Sequence, residues 1–355
     1  PMTPFIGPEQ LMREGGHPHI LRLGANESTF GPSPRAIAAM AAELPRLCWY
    51  GDPECYDLRE ELAGRLGCKI DEVVVASGID DLMGLAVRAF IGPGSIALAT
   101  RGTYPTFAYH VTGYGGALET VDYLADGTID VDRLLERAHK LQPSILYVAN
   151  PDNPSGTMCS RAQVEKLLDE TPRQTLLLLD EAYAEFAPPD SFMPTVIDAR
   201  LMRVRTFSKA YGMAGARIGY AVTAVRNIET FGKIRLQYGV NRNAQIGALA
   251  ALGDEEYTAR VIDEVERGRE EYYALARSLG RKPIRSYTNF VCIDYQTAQQ
   301  ANSVIVELMR RGVFIRKPFA PPLDGYIRVT VGTASERSEF AEHLRAVSRI
   351  EPVEI

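Results

Sequence analysis

From about residue 70 the chain alternates short apolar runs with longer amphipathic stretches. "EVVVAS", "SIALAT", "ALETVDY", "SILYVAN", "TLLLLDEAY" and "LMRVRTFSKA" have the length and content of strands. Helical periodicity covers about 80–90, 131–140 and 160–170. Near-continuous apolar strands separated by helices mark a largely parallel sheet buried on both faces. Before this region, "ILRLGANESTFGPSP" is a short apolar segment running into turn residues. The helix "PRAIAAMAAEL" follows, with Pro34 suited to its first turn, and "DLREELAGRLG" predicts a second helix ending at Gly67. After it, 241–279 is helical with a break at Gly253. Strand "NFVCIDY", helix "QQANSVIVELMRRG", strands "VFIRKP" and "YIRVTVG" and a last helix from about 336 suit a small α+β unit. The expectation is an α/β protein: a large domain over 46–245, with a mostly parallel sheet covered by helices, and a smaller α+β domain from 1–45 with 246–355, linked by a long helix.

Polar residues gather where these strands end. They do so at 77–80, at Tyr104, at 150–156, at 180–183 and at Ser208 with Lys209. In open α/β sheets ligands bind beyond the carboxyl ends of the strands, so five such groups in succession predict one site.

Composition narrows the classes. The 355 residues are 46% hydrophobic and 24% charged, which is ordinary for a globular protein. A net charge of -6 argues against a nucleic-acid binder, which would carry a basic stripe. The five cysteines form no Cys-x-x-Cys pair, so reduced thiols in the cytoplasm are expected. His17 and His19 have no acidic or cysteine partner at ligand spacing, and no metal site is expected. No apolar run reaches membrane-span length, and "PMTPFIGPEQ" lacks the basic and apolar regions of a signal peptide.

Chemistry enters with Asp180 and Lys209. A carboxylate at the end of a five-residue apolar run is expensive to bury unless something positive meets it. A lone strand-end Asp is more often simply solvated, but here a lysine follows one strand later. Lysine in a partly dry pocket loses its charge readily and becomes a nucleophile. Ser208, Thr206 and Arg217 supply two hydroxyls and a guanidinium for a phosphate. "SGIDD" adds backbone N–H groups at a helix start, where the dipole favours an anion. Pyridoxal 5'-phosphate needs all of these at once: it carries an aldehyde for a lysine Schiff base, a pyridine nitrogen for an acid, and a phosphate.

"NPDNPSG", "LLDEAY" and "TFSKAYGMAGARIGY" resemble the motifs of the fold-type I pyridoxal-phosphate aminotransferases. "LRLGANES", "WYGDPECYDLREELA", "SGIDDLMGLAVRAF" and "IRVTVGT" resemble the histidinol-phosphate aminotransferase group, and the match runs in order from about 20 to 350. The resemblance implies roles. Asn153 and Tyr183 bond the phenolic oxygen of the cofactor, Asp180 its ring nitrogen, and Tyr104 stacks on the ring. The turn at Gly78, Ile79 and Asp80, with Thr206, Ser208 and Arg217, holds the phosphate. Tyr50 reaches the cofactor phosphate of the other subunit, which implies a homodimer with shared sites. Arg328 binds the substrate carboxylate, and Asn26 and Phe30 belong to the substrate side. Lys209 serves as general base in a ping-pong exchange between an amino donor and a 2-oxo acid.

Two departures bear on the donor. "NESTF" puts Phe30 where the group commonly has a tyrosine, and "KPFAPPLDG" is rich in proline and apolar residues. An aromatic or other apolar donor therefore stands beside a histidinol-phosphate-like amine. A decarboxylase of the threonine-phosphate decarboxylase type is the alternative reaction. A non-enzymatic scaffold would have to lack Lys209, Asp180 or Arg328, and none is missing.

Overall fold

A computed structural model describes residues 7–15 and 20–348; His17 and His19 lie outside the described residues. The chain opens with α1 (Pro8–Gly15), β1 (Leu21–Arg22), α2 (Pro34–Glu43) and α3 (Tyr56–Leu66). The main run is β2 (Val73–Ala76), α4 (Ile79–Phe90), β3 (Ile96–Thr100), α5 (Pro105–Gly113), β4 (Ala117–Val121), α6 (Val131–Leu141) and β5 (Ile145–Ala149). It continues through α7 (Arg161–Glu170), β6 (Leu176–Asp180), β7 (Leu201–Thr206) and β8 (Gly219–Thr223). Then come α8 (Val225–Gly232), α9 (Arg242–Leu252), α10 (Glu255–Ser278) and β9 (Phe290–Asp294). The chain closes with α11 (Ala298–Arg310), β10 (Val313–Phe314), β11 (Tyr326–Thr330) and α12 (Ala334–Ser348).

Seven strands form one sheet in the order β2-β8-β7-β6-β5-β3-β4. The pairs from β7 to β4 are parallel, and β8 alone runs against its neighbours β2 and β7. Both faces are covered. On β6, Leu176 and Leu178 pack in one cluster and Leu177 and Leu179 in the opposite one. All four leucines are fully buried, each contributing about 1.5–3 kcal/mol. That burial fixes where β6 ends, and so where Asp180 stands.

The flanking helices are capped by their own sequence. Ser33 accepts from Ala36 N ahead of Pro34, Ser160 forms a capping box with Gln163, and Asn241 accepts from Ala244 N. The second layer is small. β9 and β11 pair antiparallel, β1 pairs parallel with β10, and a separate apolar cluster joins them to α10, α11 and α12. "VFIRKP" gives only two strand residues, followed by an isolated bridge between Arg316 and Arg328.

The expected boundaries at 46 and 245 need correcting. Ala36 of α2 lies in a buried cluster with Leu58, Val75, Phe207, Ala244 and Ala248. Residues 34–43 and 242–252 therefore pack on the large sheet, not on the small layer, because the apolar alanine faces of α2 and α9 meet there. Among the described residues no helix is long and apolar enough to cross a membrane.

Candidate active site

The parallel strands all deliver their carboxyl ends to one edge. β8 runs the other way, so it enters from that same edge, pairing Gly219 with Ala76 and Thr206. This brings Arg217 there too. Gly78 makes the turn into α4 with φ +88, a backbone that L side chains rarely adopt. A Cβ on it would come within 2.8 Å of Arg217 Nη2. The first N–H groups of α4, at Ile79 and Asp80, have no acceptor within the helix and point at the edge. Thr206 Oγ1 donates to Ser208 Oγ at 2.9 Å and accepts from Ser208 N at 3.1 Å. Arg217 Nη2 meets Asp80 Oδ2 at 3.3 Å in a half-exposed ion pair, a weak contact that a phosphate dianion can replace.

Lys209 is half-buried. Its Nζ donates to the backbone oxygen of Asn26 at 3.0 Å and lies 5.6 Å from the centre of the Tyr183 ring. Burial, with Arg328 adding, lowers its pKa to about 8, while Glu27 and Asp80 oppose the shift. Asp180 accepts from Tyr147 Oη at 2.8 Å and from Ala182 N at 3.0 Å. Burial still raises it to about 6, helped by the like charges of Asp80 and Glu181. Tyr183 Oη accepts from Asn26 Nδ2 at 2.9 Å, and burial pushes this phenol up to about 12. Tyr104 begins α5 and donates to Asp80 Oδ1 at 3.0 Å.

Arg328 reaches across from β11. Its guanidinium donates to Asn153 Oδ1 and to Gly24 O, while its Nε is buried without a partner. A buried guanidinium edge lacking an acceptor is costly. It is complementary to an anionic group of a ligand, which can take two of its donors.

These residues close around a cleft of about 500 Å³. Of the residues singled out in the sequence, all but three line it. Gly78 stands just behind Ile79, as its turn requires. Tyr50 is 76% exposed, does not line the cleft, and stacks on Tyr238 with ring centres 4.5 Å apart. Phe30 does not line the cleft: its side chain packs against the small-layer cluster, and its carbonyl accepts from Tyr257 Oη at 2.6 Å. The motifs did not single out Glu27, Arg316, Lys317 or Phe319 as site residues, yet all four line the cleft. Arg316 had a signal. It alternates with Phe314 in "VFIRKP", which sets it beside Arg328 once the two segments pair.

The donor set fits pyridoxal phosphate: an amine of lowered pKa, a buried carboxylate, and an anion cradle of helix N–H groups, hydroxyls and a guanidinium. Comparison with known proteins agrees. The family model described as aminotransferase class I and II matches residues 18–344. Histidinol-phosphate aminotransferase 2 of Carboxydothermus hydrogenoformans is 32% identical, covering 99% of this chain and 97% of that protein. The corresponding enzyme of Geobacillus thermodenitrificans is 31% identical over 98% of this chain and 96% of its own length. Among solved structures, histidinol-phosphate aminotransferase from Sinorhizobium meliloti in complex with pyridoxal-5'-phosphate superposes with a TM-score of 0.95. It is 39% identical over 98% of this chain and 97% of that one. Transamination thus prevails over the decarboxylase alternative, and the chain belongs to the class I and II aminotransferases, the pyridoxal-phosphate-dependent transaminases.

Proposed function

We propose that the enzyme transaminates a phosphorylated amine of the histidinol phosphate type, with a 2-oxo acid as acceptor. One observation carries this reading: two guanidiniums, Arg316 and Arg328, face each other across an antiparallel bridge and line the same cleft, with Lys317 beside them. Histidinol phosphate has no carboxylate, so its phosphate is the only anion it can offer. An arginine pair holds a dianion in one half-reaction and an amino-acid carboxylate in the other. The relatives named as histidinol-phosphate aminotransferases support it.

When bound, pyridoxal phosphate supplies a carbonyl that takes up the amino group and a ring that draws electrons from the carbon carrying it. Asp180 would meet the ring nitrogen and hold its proton there. Asn153 and Tyr183 would serve the phenolic oxygen, Tyr104 would cover the ring, and Ile79, Asp80, Thr206, Ser208 and Arg217 would hold the phosphate. Lys209 Nζ, neutral in part because it is buried, takes the proton from the carbon that bears the amino group. Asn26 holds the Tyr183 phenol from the substrate side. Two copies of the chain share the site, with Tyr50 reaching into the partner's cleft. The sheet body over about 34–252 carries the cofactor, and the β9–β11 layer carries the substrate arginines. Five unpaired cysteines suit a reducing, cytoplasmic setting.

Single-turnover absorbance with a panel of donors tests the reading. Histidinol phosphate should convert the pyridoxal form to the pyridoxamine form far faster than histidinol, which lacks the phosphate. Equal rates would refute it. Phe319, exposed yet lining the cleft, favours an aromatic amino acid as the second reading. That reading predicts that phenylalanine or tyrosine outruns histidinol phosphate.

A further inference from the structure

A buried phenol stands behind the acid of the site. Tyr147 lies on β5 opposite Leu178, which makes Asp180 its diagonal neighbour on β6. Both side chains are buried, and Tyr147 Oη donates to Asp180 Oδ2 at 2.8 Å. The Tyr147 ring is fixed by Phe107, stacked with centres 4.6 Å apart and planes 14° from parallel. The N–H of Ala182 takes the other carboxylate oxygen. In the sequence Tyr147 is one more apolar-run aromatic, and no motif draws it out.

We infer that Tyr147 is a positioning residue of the transamination: its hydroxyl keeps Asp180 a carboxylate, and so leaves the proton shared by Asp180 and the ring nitrogen on the nitrogen. This rests on the assignment of Asp180 to the ring nitrogen made above. A carboxylate and a pyridine nitrogen that face each other share one proton, and the stronger base keeps it. Burial strengthens Asp180 as a base, and so do Asp80 at the start of α4 and Glu181 beyond the end of β6. Tyr104, just ahead of α5, and Tyr183 after β6 line the same cleft, and the buried Asp152 after β5 acts on Tyr147. Both tyrosines are kept neutral by burial, and burial raises Asp152 to about 6. Lys209 lines the cleft but turns its ammonium to Asn26. The two donors on Asp180, Tyr147 and Ala182 N, act the other way. Tyr147 is itself a donor at every working pH, since burial drives its phenol far up. A hydrogen bond to a charged group shifts an equilibrium by about ten- to a hundredfold. Burial brings Asp180 from 3.8 to about 6 even against both donors, so removing the Tyr147 donor raises it further and moves the shared proton toward the carboxylate.

Tyr147→Phe removes the oxygen and keeps the stacked ring. Holoenzyme is reconstituted with pyridoxal phosphate isotopically labelled at the ring nitrogen and followed by nitrogen NMR. Wild type should show a protonated ring nitrogen at neutral pH. In Tyr147→Phe the signal should move toward that of unprotonated pyridine, and the donor half-reaction should slow by about ten- to a hundredfold. The melting temperature of the cofactor-free protein should fall at neutral pH, where the buried carboxylate loses a donor, and should change less toward pH 4. Adding Tyr147→Phe to Asp180→Asn should alter neither the ring signal nor the rate further. Should the phenylalanine variant not fold, a fluorinated tyrosine placed at 147 by codon suppression keeps the stack and strengthens the donor. The nitrogen then stays protonated to higher pH. An unmoved ring signal in Tyr147→Phe, or in the fluorinated protein, overturns the inference. If Asp180→Asn does move it, the Asp180 assignment survives; if Asp180→Asn also leaves it unmoved, both fall.

Discussion

Lys209 and Asp180 have been pushed toward neutrality from opposite sides, and by the same cause. Burial disfavours the charged form of each, bringing the lysine down to about 8 and the aspartate up to about 6. For Lys209 the consequence is kinetic. The neutral amine is the form that attacks an aldehyde, so cofactor capture by the cofactor-free enzyme should accelerate as pH rises through about 8 and level off above it. An ordinary exposed lysine would put that midpoint above about 10. Stopped-flow absorbance reads it directly, and Arg328→Gln, which removes a repelling cation, should move the midpoint upward. For Asp180 the consequence is stability. Its folded pKa lies above its unfolded value, so between about 4 and 6 the folded chain binds more protons than the unfolded one. The stabilising term is complete below about 4 and is lost as pH rises through about 6. Two units correspond to about 3 kcal/mol. Cofactor-free Asp180→Asn should therefore melt above wild type at pH 7, with the advantage fading toward pH 4. A wild type that melts higher at pH 7 would show that Asp180 is better paired than its surroundings indicate.

At the scale of elements, the phosphate cradle depends on how β2 turns into α4. Gly78 holds a positive φ and lets Arg217 approach to a distance that a Cβ would occupy. Gly78→Ala should cost about 1–3 kcal/mol in the turn alone and push Arg217 aside. Affinity for pyridoxal phosphate, by fluorescence titration, should drop about tenfold or more. The half-reaction rate at saturating cofactor should hold, because Lys209 and Asp180 come from other strands. Unchanged affinity would remove this turn from the cradle. Such turns explain what could be read in advance. β2, β3, β5 and β6 were legible because a strand buried on both faces must be apolar throughout, and the polar residue that ends it then stands out; β7 carries Arg203 and Arg205, which bridge to buried Glu181. β8 was not, because "GYAVT" is small and short and follows a glycine-rich motif without a break. α5 was missed for a related reason: "PTFAYHVTG" begins on proline and carries β-branched residues with little amphipathic contrast. The placement of α2 failed because an alanine-rich face does not announce which core it will meet. Phe30 and Tyr147 were hard to read for the same reason: only the tertiary fold decides whether an aromatic lines a cleft, fills a core or supports an acid.

For the whole molecule, the telling feature is apolar surface left in water. Leu44, Leu47, Trp49, Tyr50, Leu236 and Tyr238 are each more than half exposed, and the last aromatic stacks on Tyr50. A patch of that kind marks an interaction surface. If a second copy covers it and Tyr50 enters the partner's cleft, then each site draws Lys209 from one chain and Tyr50 from the other. Complementation follows from that division. Lys209→Ala chains and Tyr50→Ala chains should each be inactive or nearly so as homodimers. In a mixed dimer, the Tyr50→Ala chain brings an intact Lys209 and receives the intact Tyr50 of its partner, so one complete site forms and the other loses both residues. Co-expression of the two variants with different tags, followed by tandem purification, isolates that mixed dimer. Its expected activity is about half that of wild type, from one working site in two, with the two-chain mass seen in sedimentation. Were Tyr50 to act within its own chain, neither site of the mixed dimer would be complete, and the purified hybrid would be as inactive as its parents.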